Sequence, residues 1–387
     1  MLDAARALLK DLVAYPTVSS DSNHEMIVRI ASLLSELGAR VDLMEDETGR
    51  KANLFATLGP ADSAGGIVLS GHTDVVPVTD QDWSSDPFTL READGRLFGR
   101  GSCDMKGFIA CTLAMAPRFA QADLKRPLHF AFTYDEEVGC LGGQALVAEL
   151  KAREIRPDIA IIGEPTEMKI IDAHKGCCEY TAEFHGLEGH GSDPGAGVNA
   201  AEYAVRYVGK LLELREALKG RAPADSPFTP PFSTINLGRI HGGHVHNVIP
   251  GKAEVEWEMR PVQPGDADFV KAEMARYCDE VLLPAMRAVH PGAGIDTTVI
   301  GEVVGLDPMD KNAARQLLAE LTGQNAALTV PFGTEAGLFQ DMGMSAVVCG
   351  PGAIAQAHKP DEFVSIEQLN QCLAMLNRLT EQMERAA

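Results

Sequence analysis

Positive charge and long apolar runs are scarce in this sequence, and each scarcity excludes a class of protein. Lys and Arg number 34 against 55 Asp and Glu, so the 387-residue chain has a formal charge of -21. A surface with this excess of negative charge repels phosphate backbones and anionic lipids, which disfavours nucleic-acid and membrane partners. No apolar stretch approaches the roughly 18 consecutive residues that a membrane-spanning helix needs. The sequence therefore predicts a soluble protein.

Paired cysteines are absent as well, and the N-terminus does not resemble a signal peptide. None of the eight cysteines belongs to a C-x-x-C pair, so we expect reduced thiols, no disulfides and no cysteine-based zinc site. The segment Leu2–Leu12 has apolar residues at helical spacing interrupted by charged ones, which indicates an amphipathic helix. We therefore expect the protein to be cytoplasmic.

The length and the apolar runs predict two domains, one of them built on a parallel sheet. A domain usually contains about 100–200 residues, so this chain is long enough for two. The runs that predict buried strands are Gly66–Ser70, Leu128–Tyr134, Ile159–Gly163 and Ala346–Cys349. Three of these runs lead directly into His72, the acids at 135–137 and Glu164. Because ligands bind outside the carboxyl ends of strands in open α/β sheets, these polar residues should meet in one crevice.

The middle of the chain has a different pattern. From residue 178 onward the sequence predicts strand, helix, strand, strand, helix and strand in turn, which is the order of a ferredoxin-like α+β unit. We therefore predict an α/β catalytic domain of residues 1–177 and 305–387, with a mainly parallel central sheet flanked by helices. Residues 178–304 are predicted to form an inserted ferredoxin-like (βαββαβ) lid or dimerisation domain.

Five side chains are candidate metal ligands, although each alone has an ordinary structural explanation. His72 could be a strand-end histidine capped by Asp74, and Asp104 could cap the helix that follows it. The three consecutive acids could form a solvated turn, and Glu164 and His358 could be structural. Taken together, two histidines and three carboxylates at converging strand ends suit two divalent ions with one bridging carboxylate.

Charge counting supports this interpretation and leaves one acid over. Asp104, Glu137 and Glu164 bring three negative charges against the four positive charges of two dications, and a bridging hydroxide would make the site neutral. Glu136 points in a different direction from Glu137 in extended chain. It can therefore serve as the general base toward a water molecule.

Nine motifs, in order, resemble a known family. They are SGHTDVVPV, GRGSCDMKG, TYDEEVG, IIGEPT, AHKG, GHGSDP, NVIPG, GTEAG and AHKPDEFV. They are similar to the co-catalytic zinc hydrolases, which include acetylornithine deacetylase, succinyl-diaminopimelate desuccinylase, aminoacylases and glutamate carboxypeptidases. The runs IIGEPT, AHKG, GVNA, NLGRIHGG and AHKPDEF are most similar to the acetylornithine deacetylases. The resemblance implies a two-metal amidohydrolase that converts N2-acetyl-L-ornithine to ornithine and acetate in arginine biosynthesis.

The resemblance also implies residue roles. The implied metal ligands are His72 and Glu164 on one zinc, Glu137 and His358 on the other, and Asp104 as the bridge. The implied catalytic groups are Glu136 as acid and base, Asp74 behind His72, and His190, which would stabilise the oxyanion in a neighbouring subunit's site. The implied substrate contacts are Asn247, Arg260, Gly333 and Thr334. A cis peptide bond after Asp104 is implied as well.

Several alternatives remain open at this point. Arg260 could instead pair with Glu258 or Glu256, and Glu335, beside Thr334, could attract the cationic side chain of ornithine. Cobalt or manganese could replace zinc, and the resemblance implies a homodimer through the inserted domain. The substrate could be that of a related desuccinylase, aminoacylase or dipeptidase. A catalytically silent metal-binding or partner-binding module is the alternative from another class.

Two positions depart from the family pattern. Gly191 stands where close relatives would have Ser, and Gly337 stands where some have Pro. Both departures lie in loops next to implied site residues, so the shape of those loops is left open by the sequence.

Overall fold

The computed structural model describes residues 1–60 and 65–385, which divide into two compact units. The first unit contains the described residues of Met1–Ala173, Leu306–Thr329 and those from Thr334 onward. The second contains His174–Gly305 and Val330–Gly333. The sequence-based division places this last segment, Val330–Gly333, in the catalytic domain.

Helices and strands alternate through most of the chain. The helices are α1 (Leu2–Val13), α2 (His24–Glu36), α3 (Lys106–Gln121), α4 (Leu141–Ala152), α5 (Ala200–Lys219), α6 (Asp266–Tyr277), α7 (Leu283–Val289), α8 (Ala313–Thr322), α9 (Ala336–Asp341) and α10 (Ile366–Arg385). The strands are β1 (Arg40–Glu45), β2 (Ala52–Leu58), β3 (Ile67–His72), β4 (Arg91–Ala93), β5 (Arg96–Phe98), β6 (Leu128–Thr133), β7 (Ile159–Pro165), β8 (Ile171–His174), β9 (Cys177–His185), β10 (Gly189–His190), β11 (Thr234–Gly242), β12 (Val248–Ile249), β13 (Lys252–Arg260), β14 (Gly294–Val303), β15 (Leu328–Val330), β16 (Ser345–Gly350) and β17 (Phe363–Ser365).

The first unit is built on an eight-stranded sheet in the order β1-β2-β6-β3-β7-β16-β8-β15. The four central strands β6, β3, β7 and β16 are parallel, whereas β1, β2 and β8 pair antiparallel with their neighbours. Every residue of β3, β6 and β7 is buried, as expected for strands covered by helices on both faces. The four strands predicted from apolar runs are therefore confirmed.

The parallel register places the strand ends that carry candidate ligands at one edge of the central sheet. His72 ends β3 and lies opposite Thr133 at the end of β6, and Glu164 lies in the last residues of β7. The helix predicted at the N-terminus is α1, which buries Leu9 and Leu12 and packs against α3. The sheet and its helices therefore form the rigid frame on which the candidate ligands stand.

The second unit is an antiparallel sheet with helices on one face. Its strands lie in the order β11-β13-β9-β14, and the elements follow the chain as β9, α5, β11, β13, α6 and β14. Buried and partly exposed residues alternate along β13, where Ala253, Val255, Trp257 and Met259 are all buried. The ring of Trp257 stacks on that of Tyr180 with 4.5 Å between centroids, so the two central strands share one core.

Two expectations from the sequence concern disulfide bonds and membrane-spanning segments. All eight cysteines are free thiols. Within residues 1–60 and 65–385, no helix has the length and apolar character needed to cross a membrane.

Candidate metal centre

The five candidate ligands lie together at the carboxyl edge of the central sheet, with Asp104 between the two histidines. Asp104 Oδ1 lies 3.0 Å from His72 Nε2, and Asp104 Oδ2 lies 3.2 Å from His358 Nε2. Glu164 Oε1 lies 3.6 Å from His72 Nε2, and Glu137 Oε1 lies 3.1 Å from His358 Nε2. Each oxygen of Asp104 therefore faces a different imidazole, as a bridging carboxylate requires.

The donor set fits divalent metal ions. Ligand atoms of His72, Asp104 and Glu137 lie within 4.8 Å of one another, and so do those of His72, Glu136 and Glu164. Glu164 Oε1 is buried and accepts no hydrogen bond from any residue that the structure describes. Because a buried carboxylate oxygen without a partner is costly, a cation is the natural partner here. Imidazole nitrogen and carboxylate oxygen suit zinc, cobalt or manganese.

The pKa values of the candidate ligands also indicate a site for a cation. Burial, followed by the nearby charge of Asp104, raises the pKa of Glu164 well above its usual range and that of Glu137 to about 7. Hydrogen bonds to Asp104 and Glu137 raise the pKa of His358 to about 10. An ion bound by this imidazole must displace its proton, so metal uptake should release protons.

Asp74 contacts both His72 and the turn that carries the two glutamates. His72 Nδ1 donates to the backbone oxygen of Asp74 at 3.0 Å, whereas the Asp74 carboxylate lies 3.5 Å away. That carboxylate instead accepts the backbone N–H groups of Glu136, at 3.0 Å, and Glu137, at 3.2 Å. Asp74 therefore fixes the His72 tautomer, with Nε2 free for a metal, through its backbone, and it holds the turn of the two glutamates through its side chain.

The three consecutive acids have three different environments, which excludes a simple solvated turn. Asp135 accepts hydrogen bonds from Lys51 Nζ at 2.5 and 2.6 Å. Glu137 faces His358, while Glu136 Oε1 accepts the thiol of Cys140 at 3.3 Å. Burial raises the pKa of Glu136 well above its usual range, and the charges of Glu137 and Asp104 add to this. A carboxyl group with a raised pKa suits proton transfer near neutral pH.

Asp104 does not cap the helix that follows it. The N-cap of α3 is Met105, and no side chain caps the helix there. The peptide bond between Asp104 and Met105 is cis, as predicted. At Gly101, which has φ of 77°, a Cβ would come within 2.7 Å of Val75, so only glycine fits the turn that leads to Asp104.

Four of the other predicted site residues lie in the second unit. His190 is exposed in β10, and its Nδ1 accepts the backbone N–H of Ser192 at 3.2 Å. Because Nδ1 is an acceptor, Nε2 carries the proton and is available as a donor. Arg260 donates to Glu258 Oε2 at 2.6 and 3.0 Å, so the predicted ion pair is formed with Glu258. Gly333 also lies in this unit.

Asn247 explains one departure from the family pattern. Its backbone oxygen accepts the N–H of Gly191 at 2.8 Å, and a Cβ on Gly191 would come within 2.9 Å of the Asn247 backbone. A serine at this position would therefore force the two segments apart.

Glu335 lies in a position that does not support the predicted contact with a cationic substrate. It is 1% exposed, and its two oxygens accept hydrogen bonds from Thr133, at 2.5 Å, and Ser70, at 3.3 Å. The neighbouring Thr334 is equally buried and accepts the backbone N–H of Ala336. Glu335 therefore links α9 to β3 and β6, and the idea that it attracts a substrate amine needs correction.

Sequence reasoning missed several residues that hold the ligands in place. Ser19 donates to Asp74, Lys51 neutralises Asp135, and Glu362 binds the loop that carries Asp104. Only Glu362 lay within a quoted motif, four positions after His358, and its spacing alone does not reveal a function.

The chain is similar to known proteins over nearly its whole length. Residues 68–382 match the family described as Peptidase family M20/M25/M40. The chain is similar to the acetylornithine deacetylase of Myxococcus xanthus, with 39% identity over 97% of both chains. It is also similar to the acetylornithine deacetylase of Photorhabdus laumondii subsp. laumondii, with 36% identity over 96% of this chain and 95% of the relative.

Solved structures share the fold at low sequence identity. The M20 family metallo-carboxypeptidase Sso-CP2 from Sulfolobus solfataricus has a TM-score of 0.79 at 15% identity, covering 99% of each chain. The YXEP protein of Bacillus subtilis, titled a dinuclear metal-binding peptidase from the M20 family, has a TM-score of 0.65 at 16% identity. That alignment covers 100% of this chain and 99% of the YXEP chain.

Proposed function

The chain belongs to peptidase family M20/M25/M40, and from this premise we propose that it hydrolyses the amide bond of N2-acetyl-L-ornithine to give ornithine and acetate. The observation that carries the proposal is the arrangement at Asp104, whose two oxygens face two different histidines, beside Glu136, a half-buried glutamate with a raised pKa. The relatives named for this reaction support the choice of substrate.

The metal ligands proposed are those that the sequence motifs implied. His72 and Glu164 would hold one ion, Glu137 and His358 the other, and Asp104 would bridge them. Bound there, divalent ions would polarise the acyl carbonyl and make a water molecule more acidic. Zinc is the metal we propose.

Glu136 would move the proton. It takes a proton from the water that attacks the acyl carbon, and it gives a proton to the amine as the carbon–nitrogen bond breaks. Its burial and its raised pKa favour both roles, since an acid that must alternate between protonated and ionised forms works best near the operating pH.

We propose roles in substrate binding and assembly for the second unit. Its strand order is compatible with a ferredoxin-like domain, and we assign it the roles of lid and homodimer interface. Asn247 and Arg260 would bind the substrate carboxylate, with Gly333 and Thr334 beside the substrate. Cytoplasmic location and a step in arginine biosynthesis belong to the same proposal.

His190 is proposed to donate its Nε2–H to the oxyanion. Replacing His190 with Ala should lower kcat by roughly 10²–10³-fold, the loss typical of one oxyanion donor, with little change in KM. Steady-state kinetics on acetylornithine measures both constants. The matched control is His185→Ala, since His185 is another histidine of this unit that pairs with Asp296 instead. Equal losses in the two variants would contradict the role.

A second prediction distinguishes a structural role for Glu335 from a role in substrate binding. Glu335→Gln preserves the shape of the side chain and should leave the preference for acetylornithine over acetylated neutral amino acids unchanged. Glu335→Ala should lower the free energy of unfolding by about 1–3 kcal/mol, because the hydroxyls of Ser70 and Thr133 lose a buried partner. A Glu335→Gln variant that lost its preference would restore the substrate contact.

A substrate panel tests the proposed reaction. Values of kcat/KM for acetylornithine, succinyl-diaminopimelate and acetylmethionine should be highest for acetylornithine. A higher value for another compound would assign the enzyme to a related desuccinylase or aminoacylase, and cleavage of dipeptides alone would make it a peptidase. No turnover on any of them would favour the silent binding module, against which Glu136 argues, because a pure binding site has no need of a general base.

A further inference from the structure

Six consecutive residues, from Gly99 to the proposed bridging ligand Asp104, all contact one buried acid, Glu362. Its carboxylate accepts the backbone N–H groups of Gly101, at 3.1 Å, Cys103, at 2.9 Å, and Asp104, at 3.0 Å. Arg100 Nη1 donates to the same carboxylate at 2.7 Å. The Glu362 backbone oxygen accepts Gly99 N–H at 2.9 Å and the hydroxyl of Ser102 at 3.4 Å.

A small sheet explains how Glu362 reaches this loop. Strand β17 pairs antiparallel with β5, so that Phe363 lies opposite Phe98. Glu362 precedes Phe363 and Gly99 follows Phe98, which extends the ladder by one hydrogen bond. The remaining turn from Gly99 to Asp104 then wraps around the glutamate side chain.

The same acid is connected to the loop that carries His358. Arg100 donates through Nη2 to Gln81 Oε1 at 2.6 Å, and through Nη1 to the backbone oxygen of Lys359 at 3.4 Å. Gln81 Nε2 in turn donates to the backbone oxygen of His358 at 3.1 Å. The buried ion pair of Arg100 and Glu362 therefore contacts the backbone of Asp104 directly and that of His358 through Gln81.

We propose that Glu362 is a positioning residue for the metal centre, which sets the distance between Asp104 and His358 by holding both of their loops. The Asp104 side chain can bridge only if its backbone is held still, and three of the N–H groups that hold it point at Glu362. Partners that orient metal ligands typically contribute roughly 10–100-fold to metal affinity or activity. The proposal rests on one part of the proposed function, namely that the site binds two metal ions.

The test is Glu362→Gln, measured by metal titration of the full-length protein. The amide keeps the size of the side chain but places an NH2 group against the donors of one carboxylate oxygen, either Gly101 N–H and Arg100 or the N–H groups of Cys103 and Asp104. We expect at least one of two zinc ions to bind roughly 10–100-fold more weakly by calorimetry. We expect kcat to fall by a similar factor with KM little changed, and excess zinc to restore part of kcat.

A matched control separates positioning from general destabilisation. Asp266 is an equally buried carboxylate of the second unit that pairs with Arg221 at 2.9 Å and Ser233 at 2.5 Å. Asp266→Asn should lower the thermal midpoint but leave zinc affinity unchanged. Zinc affinity in Glu362→Gln equal to that of the wild type would overturn the proposal, as would a loss shared equally by Asp266→Asn.

A milder variant covers the case in which Glu362→Gln does not fold. Gln81→Ala removes the contact with His358 and should weaken zinc binding several-fold, whereas Gln340→Ala, which removes a similar contact with the backbone of Asp307, should not. Equal zinc affinity in these two variants would also overturn the proposal. Because zinc binding is measured without substrate, failure to hydrolyse acetylornithine would refute the proposed function and leave this inference standing.

Discussion

Replacing Glu136 with Gln should lower kcat by roughly 10²–10⁴-fold, the contribution typical of a general acid–base group. The amide introduced there would have nearly the size of the native side chain but could neither accept the proton of water nor deliver one to the amine. The backbone N–H at this position would still bind Asp74, so the turn that presents Glu137 should remain. Single-turnover rates on acetylornithine measure the effect on the chemical step directly.

The metal content of this variant decides between two roles for Glu136. Its carboxylate lies in one of the groups that could hold an ion, with His72 and Glu164. As a base it is dispensable for metal binding, and Glu136→Gln should retain about two ions per chain by elemental analysis. Loss of one ion, or survival of turnover, would show that the mechanism is wrongly assigned.

A control variant of the same unit guards against nonspecific effects. Asp172 is a buried acid paired with Arg315 at 2.8 Å. Asp172→Asn should reduce stability through loss of this charge pair while kcat stays near the wild-type value.

Removing the metal should have the other large effect, loss of turnover to background. The site contains several acids whose pKa values are raised by burial and by each other, and none of them alone polarises an acyl carbonyl. Dialysis against a strong chelator followed by return of zinc, cobalt or manganese should abolish and then restore activity. Undiminished turnover in chelated protein would refute metal dependence.

The same treatment should lower thermal stability without unfolding the first unit. Each ion at a hundredfold excess over its Kd stabilises the folded state by about 2.7 kcal/mol. The sheet itself is built from buried apolar strands, so the metal-free protein should remain folded. The control is Asp104→Asn, which weakens the bridge, and its melting temperature should respond much less to added zinc.

The features that could be predicted from the sequence depend on residues that are neighbours along the chain. An apolar run followed at once by His72 or Glu164 specifies both a buried strand and a polar side chain at its end. Parallel pairing then brings such ends together, so the ligand set could be proposed before any coordinates.

The errors arose where partners are distant along the chain. Glu335 follows Thr334 and was therefore expected near the substrate, yet its carboxylate binds Ser70 and Thr133, more than 200 positions earlier. The Asp74 carboxylate lies 3.5 Å from His72 Nδ1, but it also accepts the backbone N–H groups of Glu136 and Glu137, which no local pattern indicated.

The sequence by itself determined the four parallel strands at the centre of the sheet and the polar residues that follow them, because burial imposes a local pattern on the chain. Only the tertiary structure decided which acid meets which partner: Asp135 with Lys51, Glu137 with His358, and Glu362 with the loop that carries Asp104. The physical reason is that these pairings follow from how distant segments pack, and no local periodicity encodes them.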